Sequence, residues 1–448
     1  MTKTISNRKY VHNRTIKRKH TVSGNIIEKK DGWIILQIYG EPYDRGVAHG
    51  FLLHKELCQA KNVFAFLLKN DIMISKPKFM KKSNDLMKPI IQNRYPEYYS
   101  EICGISAGAK MAGKNISVDF LIAWNSYISL YYYFRGVAKE KCSAFIATGD
   151  ATENGDVVMA HTTHSDYASG QLQNIILYVT PIRGHSFVMQ TSPGFIASAT
   201  DWFLCSTGII GCETTISKTN YKPKFGDPYF CRIRQAMQYG ETLDEYVDIM
   251  STRNAGDYAC SWLFGDTRTN EAMLFEISLN YKNVKKTKNG VFYGMNSAMD
   301  NKLRQNDTTD ADHNNTETSS GSRNMRLKTL LNNQYKGKIN INNAKVIISD
   351  QYAADKKRNE SNGNGICKHM SKNTAQIGNG LSYIFGSTDA KVVNTEMARK
   401  MVFQGIMGSA CGHPFIVKSF IKLYPEFTNW RDTLTDMPLH KWSDIHIK

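Results

Sequence analysis

The stretch KCSAFIATGDATENGDVVMAHTTHSDY, residues 141–167, contains the most informative pattern in the chain. It begins an apolar, β-prone run at Cys142, passes through a turn-rich segment at 149–156, and continues into a second apolar run that leads to His161. Two such runs around a turn predict a β-hairpin. The sequence therefore places a thiol at the start of one strand and an imidazole near the exit of the next.

Two registers of this hairpin are compatible with the sequence. A two-residue turn at Asn154-Gly155 would set Cys142 opposite Tyr167. A longer loop over 149–156 would set Cys142 opposite Thr163, close to the imidazole. The sequence leaves both registers open. A strand cysteine is also ordinarily an inert core residue, because its thiol is mostly protonated and needs a base or a lowered pKa to react.

Composition predicts a large folded protein. The 448 residues are 41% hydrophobic and 11% aromatic, enough for one large domain with insertions or for two domains. No run reaches the length of a membrane-spanning helix, and the first twenty residues have no apolar core of a secretory signal. Nine cysteines without framework spacing favour free thiols in a reducing compartment. We therefore expect a cytoplasmic or particle-associated protein rather than a secreted one.

Residues 1–25 form a basic segment, which contributes to a net charge of +17. A solvated disordered tail explains this composition, and contact with an anionic surface is the functional alternative. No helix-turn-helix, zinc finger or RNA-binding aromatic motif accompanies the tail, so no specific nucleic-acid partner is predicted.

The remaining chain divides at the hairpin. A strand is predicted at 32–39 and helices at 96–111 and 117–133, so residues 26–141 are expected to be mainly helical. From 142 onward, short β-branched runs alternate with helices. The polar segment 301–322 is predicted to be a flexible insertion.

Several segments beside the hairpin carry a family resemblance. They are EPYDRGVAHG (41–50), SPGFIASATDWFLCSTGIIGCETTI (192–216), RNAGDYACSW (253–262) and DAKVVNTEMARKM (389–401). Together they resemble the phospholipase B-like family and, more distantly, the penicillin-type acyltransferases and bile-salt hydrolases of the N-terminal-nucleophile superfamily. The resemblance implies an α+β fold, a four-layer αββα sandwich over 142–448, with 26–141 as a pro-segment that stays associated after cleavage. His49, in the first segment, is more simply an interior helix residue.

The same resemblance implies how the thiol would be used. In that superfamily the precursor cuts itself before the nucleophile, here between Lys141 and Cys142. The α-amine that is freed serves as the base for its own side chain. Because an α-amine titrates at roughly 7.7–8.0, it suits this use near neutral pH.

His161 aligns with the histidine of the family segment AHN-W, which reads AHTTH in this chain. Thr162 and His164 replace the family's Asn and Trp, so substrate contacts at Thr162 are expected to differ. His161 could assist proton transfer or hold the amine, and a hydrogen-bonded structural histidine is the alternative.

Four further candidate residues come from two of these segments. Asn254 resembles the family asparagine whose amide would donate to a tetrahedral oxyanion, and an Asn-Ala-Gly turn is the alternative. Substrate contacts are expected from Thr214, Thr215 and Trp262, although a strand threonine can be purely structural.

Arg323 matches the arginine that opens a helix in the related hydrolases, where a guanidinium could stabilise charge or orient the nucleophile. Arg326, one turn later, competes for that role.

Two Cys-x-His pairs, Cys367-x-His369 and Cys411-x-His413, are ligand types that zinc prefers. Their separation along the chain fits no common zinc module. The sequence therefore predicts no metal and no cofactor.

The leading hypothesis is an autoprocessed cysteine hydrolase that cleaves an amide or ester of a small acylated or lipid-like substrate. An acyltransferase to an amine acceptor is the first alternative. A non-catalytic binding protein with a basic arm for nucleic acid or membrane is the second. Self-cleavage distinguishes the enzyme from the binding protein.

Overall fold

A computed structural model describes residues 22–136, 142–224, 226–360, 363–369, 376–377, 381–382 and 385–447. Lys141 and most of the expected tail, residues 1–21, therefore lie outside the described residues. Within the expected tail, the first strand already begins at Gly24. None of the described helices is both long and apolar enough to cross a membrane.

The strands are numbered in chain order. They are β1 (Gly24–Lys30), β2 (Trp33–Gly40), β3 (Cys142–Gly149), β4 (Gly155–Asp166), β5 (Ile175–Pro181), β6 (Phe187–Thr191), β7 (Trp202–Cys205), β8 (Ile209–Thr215), β9 (Cys260–Asp266), β10 (Glu271–Ile277), β11 (Lys282–Thr287), β12 (Gly290–Gly294), β13 (Tyr352–Ala353), β14 (Arg358–Asn359), β15 (Gln376–Ile377), β16 (Leu381–Ser382), β17 (Phe385–Asn394), β18 (Phe403–Met407) and β19 (Ser443–Ile445).

The α-helices are numbered in the same way. They are α1 (Pro42–Leu52), α2 (His54–Leu67), α3 (Lys76–Arg94), α4 (Pro96–Met111), α5 (Val118–Asn125), α6 (Tyr127–Arg135), α7 (Tyr167–Gly170), α8 (Tyr229–Tyr239), α9 (Leu243–Ser251), α10 (Asn301–Asp307), α11 (Ser319–Thr329), α12 (Ile341–Ile348), α13 (Thr395–Arg399) and α14 (Val417–Leu423). Single π-helical segments follow α2 and α11, and a 3₁₀ segment follows α14.

Two large sheets form the centre of the molecule. The first has nine strands in the order β1-β2-β5-β6-β7-β8-β9-β10-β11, and the second has six in the order β12-β3-β4-β17-β18-β19. All neighbouring strands in both are antiparallel except the parallel pair β2 and β5. The sheets pack closely, because a side chain at Gly265 on β9 would lie within about 3.0 Å of Ile146 on β3 and Val157 on β4.

Helices cover the outer faces. Helices α8 and α9 contact β7, β9 and β10 of the nine-stranded sheet, and α12 contacts β4 and β17 of the six-stranded sheet. Because side chains alternate along a strand, Phe145 and Val158 face this outer layer and pack in one cluster with Leu327 of α11 and Ile347 of α12. The four-layer αββα architecture that the resemblance implied is confirmed.

The chain before Cys142 is built into this sandwich. Strands β1 and β2 extend the nine-stranded sheet, and β2 pairs with β5 of the later chain. The expectation that residues 26–141 are mainly helical was therefore incomplete. The sequence predicted β2 but not β1, and both strands belong to the nine-stranded sheet. Residues 301–322 likewise contain α10 and the start of α11, with Arg304 and Asp310 buried, instead of forming an irregular insertion throughout.

Helices α1 and α4 approach until their backbones touch. A side chain at Gly46 would lie 2.1 Å from the Glu101 carbonyl oxygen, and one at Gly50 would lie 1.9 Å from the Ile105 carbonyl oxygen. Glycine is required at both positions because no larger residue fits. This close contact places Arg45 of α1 beside the carboxylates of α4.

Glu101 is the centre of a buried ion network between the early helices and α8. Arg45 Nε donates to Glu101 Oε2 at 2.6 Å, and Arg234 Nη2 of α8 donates to the same oxygen at 2.9 Å. Burial opposes ionisation, but Arg234 and Arg45 outweigh it and hold the pKa of Glu101 at about 2. The network joins residues on both sides of the expected cleavage point.

His49 lies beside this network and is fully buried. The Gly194 N–H donates to His49 Nε2 at 2.9 Å. Burial lowers the pKa of His49 to about 4. His49 is therefore a neutral interior helix residue, as the simpler interpretation of the sequence predicted.

Candidate active site

The hairpin pairs Cys142 with Thr163, so the longer-loop register is the one that forms. Gly149 pairs with Gly155, and both have positive φ angles, 62° and 77°, which glycine adopts without strain. Cys142 is 2% exposed. Its side chain lies on the face of the six-stranded sheet that meets the nine-stranded sheet, because Ile146, four residues later, faces that way.

The surroundings of Cys142 strongly disfavour ionisation of its thiol. Burial raises its pKa well above the ordinary value, and the carboxylates of Glu213 and Asp201 raise it further, while Lys391 opposes them. The thiol is therefore protonated at neutral pH in the uncut chain. Any reaction at its sulfur needs a nearby group that accepts the proton.

Arg323 holds the backbone of the candidate nucleophile. It is fully buried, and its Nη1 donates to the Cys142 carbonyl oxygen at 2.9 Å and to Ser143 Oγ at 3.1 Å. Its Nη2 donates to Asn296 Oδ1 at 2.9 Å. Arg326 instead pairs with Asp350, at 3.0 and 2.6 Å. Of the two arginines on α11, the structure thus brings only Arg323 to Cys142.

A buried polar chain continues from Thr163 across the sheet to β17. Thr163 Oγ1 donates to Asp389 Oδ1 at 2.9 Å and accepts from Lys391 Nζ at 2.9 Å. Lys391 also pairs with Asp389, and Gln190 Nε2 donates to Asp389 Oδ2 at 2.8 Å. Asp389 and Lys391 lie two strands from Cys142 on the same sheet face, and Gln190 reaches them from β6 of the nine-stranded sheet.

Sequence analysis did not single out Asp389 and Lys391. The segment DAKVVNTEMARKM was noted only for its family resemblance. The available signal was the spacing of the acid and the base, two residues apart, which places both on one face of a strand. Its pairing partner could not be read from the sequence.

His161 of β4 links the two large sheets through a hydrogen bond to β8. Its Nε2 lies 3.1 Å from the Glu213 carbonyl oxygen, which can only accept, so Nε2 carries the proton. Burial lowers the pKa of His161 well below its usual value, with further lowering from Lys391 and His164. The imidazole is therefore neutral.

Thr162 and His164 lie on the opposite face of β4 from Thr163. Thr162 Oγ1 donates to the Asp389 carbonyl oxygen at 2.9 Å, and His164 Nε2 lies 2.9 Å from the Ile366 carbonyl oxygen. The structure does not bring Thr162 to the face that carries the Cys142 thiol. The two residues that depart from the family pattern instead form hydrogen bonds to backbone carbonyl groups of neighbouring segments.

Asn254 lies in the loop before β9, where its amide is engaged within a turn. Its Nδ2 donates to the Ser278 carbonyl oxygen at 2.6 Å, and the Gly256 N–H donates to its Oδ1 at 3.0 Å. These contacts match the turn alternative of the sequence.

Tyr258, four residues after Asn254, lies among buried acids beside Cys142. Its hydroxyl is within hydrogen-bond distance of Glu213 Oε1, Asp201 Oδ2 at 3.1 Å and Thr215 Oγ1 at 2.9 Å. Burial raises the pKa of Tyr258 well above its usual value, and nearby charges that include Cys142 act in the same direction. Tyr258 is thus a neutral phenol at the site.

The other three expected substrate contacts, Thr214, Thr215 and Trp262, lie in different places in the structure. Thr215 lines a cavity, whereas Thr214 lies in the inter-sheet space against Gly294 of β12. Trp262 is fully buried and stacks on Phe264, with ring centroids 5.4 Å apart. The structure therefore places Thr214 between the sheets, Thr215 in the wall of the cavity and Trp262 in the core.

The cavity, of about 50 Å³, lies between the early helices and the nine-stranded sheet. Six aromatic side chains line it, and one of them, Tyr258, lies close enough to Cys142 to interact with it electrostatically; the aromatic residues are Trp124, Tyr127, Tyr131, Tyr132, Phe195 and Tyr258. Gln173 also lines it and accepts from Gln190 through its main-chain carbonyl oxygen at 2.6 Å, which connects the cavity to Asp389.

Comparison with known proteins agrees with the sequence resemblance. Residues 110–311 match the family model described as phospholipase B. An uncharacterized protein of Archaeoglobus fulgidus is 26% identical over 272 residues, covering 55% of this chain and 44% of the relative. Putative phospholipase B-like 3 of Caenorhabditis elegans is 29% identical over 136 residues, covering 27% of this chain and 23% of the relative. Protein dcd1A of Dictyostelium discoideum is 22% identical over 285 residues, covering 56% of this chain and 59% of the relative. The chain thus resembles phospholipase B over residues 110–311, and it matches less than two thirds of the length of each of these relatives.

Two solved structures align with part of this chain at low similarity. Penicillin V acylase from Agrobacterium tumefaciens has a TM-score of 0.34 and 10% identity, covering 59% of this chain and 82% of the acylase. A mutant of conjugated bile acid hydrolase from Clostridium perfringens has a TM-score of 0.34 and 9% identity, covering 59% of this chain and 89% of the hydrolase. The αββα architecture itself follows from the two sheets and their helical layers.

Proposed function

We propose that this protein is a hydrolase that activates itself by cutting the Lys141–Cys142 bond and then forms an acyl-enzyme on Cys142. The observation that carries the proposal is the position of Cys142. It begins a buried hairpin strand, its carbonyl oxygen accepts from Arg323, and it lies within electrostatic reach of Tyr258, which lines an aromatic cavity. The match to the phospholipase B family supports a hydrolytic activity.

In the activating step, Cys142 Sγ attacks the Lys141 carbonyl carbon and the Lys141–Cys142 C–N bond breaks, which leaves a thioester. The thiol proton passes to the departing nitrogen. Water then hydrolyses the thioester, releasing the Lys141 carboxylate and restoring the thiol with a free α-amine beside it. Arg323 fixes the backbone of Cys142 during both steps.

In the catalytic cycle, the new α-amine is the base that the buried thiol requires. It takes the proton as sulfur attacks the substrate carbonyl, and it returns a proton to the leaving group. Thr163, paired with Cys142, is bonded to Asp389 and Lys391, which hold this part of the sheet in one geometry. Asn254 acts as an oxyanion donor if its amide exchanges the Ser278 carbonyl for the substrate.

The cavity favours a substrate with an apolar acyl group. Its wall is mainly apolar, and Thr215 and Tyr258, of which Tyr258 interacts electrostatically with Cys142, add hydroxyl groups to it. An amide or an ester of an apolar acid fits this arrangement. Water is the acceptor in the hydrolase proposal, and an amine acceptor would make the enzyme an acyltransferase.

The two products of self-cleavage are expected to stay together. The β2–β5 ladder and the Glu101 network with Arg234 join residues on either side of the cut. Removing one partner of such a buried ion group is strongly unfavourable. Dissociation of the pro-segment would expose both features at once.

The test is the intact mass of the purified protein beside Cys142→Ala. Two chains spanning 1–141 and 142–448 are expected in the wild type, and a single chain in the variant. Cys212→Ala, which changes another buried strand cysteine, is the matched control and should be cut normally. A single full-length wild-type chain would overturn self-activation and favour the binding-protein alternative.

Substrate class is tested on the cleaved protein with paired p-nitroanilides and p-nitrophenyl esters of phenylacetic, hexanoic and acetic acids. Faster release from the phenylacetyl and hexanoyl compounds than from the acetyl compounds is expected. Equal rates for all three acids would contradict the assignment of the aromatic cavity as the acyl site. Added glycine ethyl ester distinguishes transfer from hydrolysis.

A further inference from the structure

The two Cys-x-His pairs, distant in sequence, meet in the folded chain. Cys367 Sγ lies 3.8 Å from His369 Nε2 and near Cys411 Sγ at 2.7 Å, and His369 Nε2 lies 2.8 Å from Cys411 Sγ. The ring of His413 is centred 5.0 Å from that of His369. We call these four residues the Cys-His cluster.

We propose that the Cys-His cluster binds one zinc ion. Two thiolates and one or two imidazoles form the ligand set that favours zinc, and three of the ligand atoms lie within 4.8 Å of one another. Zinc–sulfur bonds of about 2.3 Å in a tetrahedron separate two sulfurs by roughly 3.8 Å. The thiols of Cys367 and Cys411 therefore have to move apart by about 1 Å, which side-chain rotation provides.

The backbone around the cluster is shaped to present these ligands. Gly412, between Cys411 and His413, has a φ of 83°, so the chain turns sharply there and directs both side chains to one region. The amide of Gln351 lies 3.3 Å from His413 Nδ1, where it can orient the ring. Cys367 and His369 are buried and Cys411 and His413 more exposed, so the ion would have an entry path from solvent.

A zinc ion at this site would stabilise the segment 366–369, which contacts the hairpin that begins at Cys142 and the start of α11. Ile366, next to Cys367, accepts from His164 of β4, and Lys368 Nζ donates to Ser319 Oγ at the start of α11. Arg323 Nε contacts the same Ser319 oxygen at 3.3 Å. A zinc ion would join this segment to the loop after β18, which carries Cys411.

The experiment uses the full chain in a phosphine reductant, loaded with zinc sulfate and then desalted, with metal content measured by mass spectrometry. About one zinc per chain is expected for the wild type, with loss in Cys411→Ser and His369→Ala. Cys103→Ser, which changes a half-buried cysteine of α4, is the matched control and should keep its zinc. Zinc retained by both cluster variants, or absent from the loaded wild type, would overturn the proposal.

Cobalt substitution of the wild type keeps the test decisive if the variants fail to fold. A sulfur-to-cobalt charge-transfer band together with intense visible bands of tetrahedral cobalt is expected. A spectrum that shows only octahedral hexaaqua cobalt would contradict the proposed site. A Cys367–Cys411 disulfide that forms without reductant, in a protein whose reduced form takes up neither metal, would also overturn it in favour of a redox pair.

Discussion

The Cys142 region and the Glu101 network are equally buried, yet they use burial in opposite ways. At Glu101 the burial that opposes ionisation is outweighed by two guanidinium groups, so the pKa of the carboxylate is about 2 and the charge is permanent. At Cys142 burial dominates, so the pKa of the thiol is raised and the group stays neutral until a base is supplied. The difference shows that the partners directed at a buried group, rather than the burial itself, decide whether it stabilises the fold or is kept for reaction.

The largest expected effect is on chemistry at Cys142. Cys142→Ala should abolish self-cleavage and lower hydrolysis by at least on the order of 10⁴-fold, because no other group replaces the nucleophile. Its stability should change little, since one sulfur atom is removed from a strand. Wild-type turnover in Cys142→Ala would show that the buried thiol of Cys142 is not the nucleophile.

The next effect is on stability at Glu101. Glu101→Gln should lower the free energy of unfolding by about 3–5 kcal/mol, because Arg45 and Arg234 would share a neutral partner in a buried site. Urea denaturation measures it. Glu97→Gln is the matched control on the same helix, where the carboxylate is half-buried and a smaller loss is expected.

A pH profile sharpens the comparison at His49, which lies beside the Glu101 network. Its folded pKa of about 4 is below the unfolded value of 6.5, so the unfolded chain binds more protons between these pH values. Stability is therefore lost as pH falls from 6.5 towards 4, by up to about 3 kcal/mol. His49→Gln should flatten this slope in urea titrations, since an amide oxygen can still accept from Gly194.

His54→Gln is the matched control for that profile, because His54 is half-buried and its Nδ1 hydrogen-bonds the local Phe51 carbonyl oxygen. An equal slope in the wild type and His49→Gln would show that His49 is not the group that titrates.

The smallest predicted effect separates the two arginines of α11. Arg323→Lys should slow self-cleavage by on the order of 10²-fold, because a single ammonium cannot reproduce the contacts to Cys142, Ser143 and Asn296 and the nucleophile shifts. The time course of chain cleavage measures it. Arg326→Lys, which alters the ion pair with Asp350, should leave the rate unchanged, and equal slowing in both variants would point to a general effect on α11.

Local pattern was sufficient for much of the fold. The helix predicted at 96–111 forms as Pro96–Met111, and the strand predicted at 32–39 forms as Trp33–Gly40. The prediction for 117–133 was less complete, because the chain breaks into α5 and α6 at Ser126. Strand β1 and the helix α10 in 301–322 were missed, since polar residues dominate both and their hydrophobic contacts come from distant segments.

The candidate site was predicted only in part for the same reason. Cys142 and Arg323 could be proposed from motifs, and the structure brings them together. Thr162 and Trp262 were expected near the substrate from the motifs that resemble the family, but strand alternation turns their side chains away from the sheet face that carries the Cys142 thiol. Asp389 and Lys391 needed the β4–β17 pairing to reach Thr163, and that pairing joins residues far apart in the chain.

The sequence by itself determined the hairpin, the residue types available for chemistry and the family resemblance, because these depend on neighbouring residues and on motifs. Only the tertiary structure decided which register the hairpin takes, which arginine meets Cys142, and that the two Cys-x-His pairs converge. Each of these depends on contacts between distant segments, where packing of the two sheets and their helices selects one arrangement from several that the local sequence allows.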